Sequence, residues 1–99
     1  MKATVEVMSW LKDDFGHKSW DKLIFEEAIS PGTSIMDLAY LLADKYPEFG
    51  RKAFADQKQN FFDYCAVILN DRFLSAPAEL NTKLKEGDNI KLSPGFYGG

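Results

Sequence analysis

Few side chains in this 99-residue sequence could do chemistry, and their spacing suits it poorly. Cys65 is the one cysteine. As a thiolate it could act as a nucleophile or a sulfur relay. It opens the most apolar run of the chain, CAVILN, and so reads as a buried, inert thiol. His17 is the one histidine, in a polar stretch beside Lys18. With no second histidine or cysteine nearby it reads as a solvated loop residue, and no metal site is expected. Asp13-Asp14 and Glu26-Glu27 are carboxylate pairs, the residue type used in general acid–base catalysis. Glu26 and Glu27 would point to opposite faces of a strand, and solvation or protection of a sheet edge accounts better for these pairs. RKAFADQK at 51–58 reads as a basic surface patch. What remains is the end, SPGFYGG, where Phe96 and Tyr97 are followed by Gly98 and Gly99. Glycine is common at frayed ends. Whether this one matters depends on what precedes it.

The elements that would position that end follow from composition and pattern. Hydrophobic residues are 45% and charged residues 27%, the balance of a globular protein of one domain. A net charge of −3, with no run of four basic residues, argues against nucleic-acid and membrane partners. One cysteine excludes an intramolecular disulfide and points to a reducing, cytoplasmic compartment. MKATVEVMSW reads as neither a signal peptide nor a membrane span.

Residues 3–12 alternate as a strand, with Val5, Val7 and Leu11 on one face and Thr4, Glu6 and Lys12 on the other. Met8 and Trp10 spoil the polar face. DDFGHKSWD at 13–21 has turn chemistry. KLIFEEAIS at 22–30 reads as a second strand, in hairpin with the first, with Glu27 interrupting the apolar face of Leu23, Phe25 and Ile29. Ser34, with Asp37 three residues on, predicts a helix start. Ile35, Leu38, Ala39 and Leu42 form its apolar stripe, and Pro47 stops or kinks it. A short helix near 49–56 and a loop follow. Residues 65–70 predict a central strand, Asn70-Asp71 a tight turn, RFLS a short returning strand, 76–83 an irregular link, and 84–94 a turn at Gly87-Asp88 before a last strand burying Ile90 and Leu92. This order predicts an α+β fold, one main helix across a mixed sheet, with first and last strands side by side.

Several of these stretches match one pattern. They are AVILNDRFLS, where Val67 leads to Asn70 before a tight turn; LKEGDNIKLSP, with Leu84, Gly87 and Asp88; the helix start at Ser34, Ile35, Asp37 and Leu38; and Gly98-Gly99 after Pro94. In that order they resemble the ubiquitin-like β-grasp sulfur carriers, the family of the molybdopterin synthase small subunit and the thiamine-pathway sulfur carrier. The resemblance implies a β-grasp roll at 1–93 and a flexible tail at 94–99. Thiamine-type carriers pass almost directly from the helix to the third strand, whereas this chain carries 48–64 there, which favours the molybdopterin type. Pro94-Gly95-Phe96-Tyr97 departs from the family's two prolines and small residues.

The resemblance also implies the chemistry. The Gly99 carboxylate would be adenylated with ATP by a ubiquitin-activating-type enzyme. A persulfide sulfur donor would then displace AMP to leave a thiocarboxylate. Gly98 and Gly99 make a tip thin enough for a narrow channel. Pro94, Gly95, Phe96 and Tyr97 would bind the partner, with the two rings as anchors. Phe73 or Met8, exposed on the sheet, would help dock the adenylating enzyme. The chain would bind no cofactor and be no enzyme alone. It would serve as small subunit and sulfur donor beside a molybdopterin synthase large subunit. The alternatives are a ubiquitin-like modifier joined to lysine through Gly99, a thiamine-type carrier, or an interaction module with an incidental Gly-Gly.

Overall fold

The computed structural model describes residues 1–17, 21–54 and 61–94; for Ser9, Trp10 and Asp63 it describes the backbone. Five strands form one sheet in the order β2-β1-β5-β3-β4: β1 Lys2–Val7, β2 Leu23–Ala28, β3 Cys65–Leu69, β4 Arg72–Leu74 and β5 Asn89–Pro94. β1 and β2 are the antiparallel hairpin that their alternation predicts, running from Lys2 opposite Ala28 to Val7 opposite Leu23. β5 lies between β1, to which it is parallel, and β3, to which it is antiparallel. First and last strands thus sit side by side, with β5 at the centre. This is the ubiquitin-like β-grasp.

Helix α1 (Ile35–Lys45) crosses one face. Its start is a capping box: Ser34 Oγ accepts from the Asp37 N–H at 3.1 Å and Asp37 Oδ2 accepts from the Ser34 N–H at 3.0 Å. Those bonds satisfy two donors that a helix N-terminus otherwise leaves orphaned. The bond from the Ser34 N–H holds the Asp37 carboxyl below its ordinary range. Ile35, Leu38, Ala39 and Leu42 are all buried, as their spacing requires. They meet Val5, Val7, Val67, Ile90 and Leu92 from the inward positions of the strands in one core. The continuously apolar β3 has Cys65, Ala66, Val67 and Leu69 buried. Asn70 and Asp71 take positive φ, 48° and 69°, making the tight turn into β4. Among the described residues no helix is long and apolar enough to cross a membrane.

The structure corrects four expectations. The first strand does not run through 3–12: it ends at Val7, and Ser9–Phe15 form a 3-10 helix closed by Gly16 at φ 76°. The apolar residues at 8 and 10 that spoiled the alternation belong to this change of geometry. Winding the segment brings Leu11 and Phe15 together into the core at 2% and 6% exposure, which an extended chain could not do. The second concerns the short helix expected near 49–56: α2 spans Pro47–Ala53, and Pro47, which ends α1 as expected, sits in its first turn, where its missing N–H costs nothing. The third is α3 (Phe61–Tyr64), one helical turn in a stretch read as loop. The fourth is the link at 76–83, which holds a 3-10 helix at Pro77–Asn81. Glu79 fixes it by accepting from the Ser75 and Ala76 N–H groups at 3.0 and 2.9 Å.

Candidate functional site

β5 carries the chain toward its glycine end. The Met8 N–H donates to the Leu92 carbonyl at 2.9 Å, so the chain leaving β1 clamps the end of β5 from one side. On the other side Ala66 stands opposite Ser93 and Cys65 opposite Pro94. Pro94, read from sequence as part of the tail, is the last residue of β5 and half-buried. Proline there takes the sheet's last position, where a missing N–H interrupts no further ladder. Gly95, Phe96, Tyr97, Gly98 and Gly99 lie outside the described residues.

The surroundings of that strand end are tied together by one polar group. The Asp14 carboxylate, with a side chain 10% exposed, accepts from the Tyr64 hydroxyl and, at 2.8 Å, from Lys52 Nζ. Three segments meet in this contact: the 3-10 helix after β1, α2, and α3 just before β3. Burial, then the bond to Asp14, pushes the Tyr64 phenol far above its ordinary value, so it stays a donor. Ring contacts of Phe49 with Phe15, Phe61 and Tyr64 fill the space below.

The single thiol is inert. Cys65 is fully buried, and burial pushes its thiol far up, so the nucleophilic thiolate is absent at neutral pH. His17 Nε2 is 3.5 Å from Asp21 Oδ1. Among the described residues no three His, Cys, Asp or Glu side chains group as a metal site. The paired carboxylates are not the solvated pairs expected. Glu26 is exposed, but Glu27 is buried at 5% and accepts from Lys45 Nζ at 2.5 Å, fixing α1 to β2. Asp13 faces water while Asp14 makes the contact just described. In the basic patch Arg51 is paired with Glu48 at 2.7 Å and Lys52 with Asp14. An apolar void of about 10 Å³ between α1 and the sheet, lined by Leu38, Leu42, Phe49 and Ile90, is too small for a substrate.

Of the apolar residues expected on the sheet, Phe73 is 46% exposed and Met8 is half-buried. Sequence reading missed Ile24, 53% exposed on β2, and the near-burial of Glu6 on β1. Their common face needs the register of five strands, which alternation within each strand does not supply.

No family model and no curated protein matches the sequence significantly. Solved structures do match in shape. Small archaeal modifier protein 1 of Haloferax volcanii superimposes with a TM-score of 0.75 at 17% identity over 100% of both chains. The Methanosarcina acetivorans small archaeal modifier protein 1 gives 0.69 at 22% identity, over 99% of this chain and 96% of that one. The molybdopterin-converting factor of Helicobacter pylori, a complex of subunits 1 and 2, gives 0.55 at 25% identity over 100% of both chains. This chain therefore shares its β-grasp fold with the small archaeal modifier proteins and with molybdopterin-converting factor.

Proposed function

We propose that this chain is a ubiquitin-like sulfur carrier whose reacting group is the Gly99 carboxylate. The observation that carries the reading is the placement of β5: the central strand runs to Pro94 with a paired strand on each side, and Gly98-Gly99 stand four and five residues beyond. A rigid sheet ending in a short, thin-tipped segment presents a carboxylate to another protein's active site. In this reading the folded body presents the tail, and activation falls to a partner.

A carboxylate is a poor electrophile. An ATP-dependent adenylating enzyme would convert it to an acyl adenylate. A persulfide sulfur would attack the Gly99 carbonyl carbon and expel AMP, leaving the thiocarboxylate once the sulfur–sulfur bond is reduced by a thiol. Glycine leaves that carbon unhindered. The thiocarboxylate would then donate sulfur to a molybdopterin precursor, with this chain as small subunit beside a large subunit, in the cytoplasm. Phe96 and Tyr97 would anchor the tail in the partner. The two-subunit complex of the Helicobacter pylori factor supports this assembly.

A second reading is favoured by the small archaeal modifier proteins among the matching structures: a modifier joined to lysine through Gly99. Intact mass of the protein purified gently from its own host tests both. Replacement of one oxygen by sulfur at Gly99 supports the carrier. A ladder of Gly99–lysine conjugates without it supports the modifier. Neither product from a chain retaining its Gly-Gly end overturns the proposal.

A further inference from the structure

The outer face of the sheet carries a row of five side chains in register: Ile24 on β2, Glu6 on β1, Lys91 on β5, Ile68 on β3 and Phe73 on β4. The pairing fixes it, with Glu6 opposite both Ile24 and Lys91, and Ile68 opposite both Lys91 and Phe73. Each of these positions alternates with an inward one, so all five point away from α1. Ile24 is 53% exposed, a large apolar side chain at one end of the row. Glu6 is only 9% exposed, and the cation beside it in its own sheet is its cross-strand neighbour Lys91. Lys91 reaches Asp71 at 3.7 Å, but Asp71 is 90% exposed, and such a surface pair holds its members loosely.

The first four residues of the row read apolar, acid, base, apolar. We propose that this row is self-complementary and that two copies of the chain pair through it. Place two sheets face to face about a two-fold axis that runs parallel to the strands and between β1 and β5. Glu6 of each copy then faces Lys91 of the other, and Ile24 of each faces Ile68 of the other. Every acid meets a base and every aliphatic group meets another, twice, which is what a closed two-fold interface requires. The perpendicular in-plane axis, along the row, would set Glu6 against Glu6 and Lys91 against Lys91. Charge therefore selects one of the two arrangements. The arrangement sets a second cation, Lys91 of the other copy, against Glu6 beside the Lys91 of its own chain.

Strand spacing and rise give this face about 400 Å² per copy, in the range of weak, transient association. The dimer forms at high concentration and dissociates on dilution. Because the axis is parallel to the strands, both copies end β5 on the same side. Pro94 lies about 10 Å along the strand from the row, so the two glycine ends emerge as neighbours. This pairing does not rest on the chemistry proposed for the tail.

Sedimentation equilibrium of the full chain, from micromolar to millimolar concentration and at low and high salt, tests it. The expected result is a concentration-dependent dimer that salt weakens. Glu6→Lys and Lys91→Glu each place like charges across the axis, so each alone is monomeric, with circular dichroism confirming the fold. An equimolar mixture of the two restores a dimer. In the mixed pair the introduced lysine of one variant faces the introduced glutamate of the other, and the remaining Lys91 faces the remaining Glu6. Ile24→Asp, at an exposed site, raises the dissociation constant about tenfold or more with an unchanged thermal midpoint. If Glu6→Lys does not fold, Glu6→Gln replaces it and weakens the dimer. A wild-type chain that stays monomeric at millimolar concentration overturns the proposal. So do variants that dimerise as the wild type does, or a folded mixture that remains monomeric. A monomer whose Ile24→Asp variant loses binding to the tail-activating enzyme would assign the face to that enzyme instead.

Discussion

Val5 and Glu6 are neighbours on β1 and both are hidden from water, at 0% and 9% exposure, yet they lie in different kinds of surroundings. Val5 stands opposite Phe25 and Ile90 in a core that α1 seals. Glu6 stands opposite Ile24 and Lys91 on the outward side of the sheet. The inner face is apolar apart from Glu27, which reaches Lys45 at one margin, and Arg72, which pairs with Glu79 at the other. The outer face mixes charge with Ile24, Ile68 and Phe73. One face gives the domain its stability, and the other is where this small protein has surface left for partners.

Truncation on the two faces is the widest separation. Leu42, 1% exposed on α1, should lose about 2–5 kcal/mol on change to Ala, through lost burial and the cavity left behind. Ile24→Ala should stay within about 0.5 kcal/mol in the monomer. Urea unfolding of both variants at low concentration measures this. Comparable losses at the two sites would mean that the outer face is as much a core as the inner one.

The inner layer also has a backbone contact that can be broken by adding one atom. Gly50 in α2 sits so close to α1 that a Cβ there would lie 2.7 Å from the Ala43 carbonyl oxygen and 3.0 Å from its Cβ. Helix propensity alone favours Gly→Ala by about 1 kcal/mol. The oxygen in the way is backbone and cannot swing aside, so α2 must shift. Gly50→Ala is therefore expected to destabilise by about 1–3 kcal/mol, the usual range for overpacking. A more stable variant in thermal unfolding would show that propensity wins and that the helices part freely.

Sequence revealed the two faces unequally. The spacing of Ile35, Leu38, Ala39 and Leu42, the cap at Ser34 and the apolar run of β3 specify the inner face locally, within one turn or one strand. So do the Asn70-Asp71 turn and the pairing of β1 with β2. The outer row was not legible, because Glu6, Lys91 and Ile68 become neighbours only through pairings between strands that are far apart in the chain. The contact of Asp14 with Lys52 and Tyr64 was hidden for the same reason: its members come from three segments, and in sequence each is an ordinary polar residue. Winding at 9–15 was missed because the broken alternation at Met8 and Trp10 signals only that a strand is imperfect. The tail was legible as a motif, and its residues from Gly95 on lie outside the described residues.

Ser34→Ala should have a smaller effect than either core change, about 0.5–2 kcal/mol, because it removes one cap bond at a part-buried helix end. The partner bond, from the Ser34 N–H to Asp37, adds a pH signature. It holds the folded-state carboxyl below its unfolded value, so the stability it contributes is full above the ordinary carboxylate range and is lost as pH falls through the folded value. The wild-type thermal midpoint should fall further between neutral pH and about 3 than that of Asp37→Asn, which cannot ionise. Parallel pH profiles would exclude this carboxylate as a source of acid sensitivity.

Deleting Gly98-Gly99 should have the smallest effect on the fold and the largest on function. The last side chains of the inner face are Ile90 and Leu92, at 1% and 4% exposure, and the β3–β5 ladder is complete at Pro94. Neither glycine has a side chain to add to either face. The thermal midpoint should match the full chain within error, while acyl-adenylate formation with the activating enzyme, read in a single turnover, should be absent. Gly99→Ala separates tip from length: it keeps the carboxylate but crowds the reacting carbon and narrows the backbone angles available to it, so adenylation should slow without loss of partner affinity. A normal single-turnover rate for Gly99→Ala would remove the steric argument for a glycine end. A large loss of stability on deletion would place the tail among the structural elements.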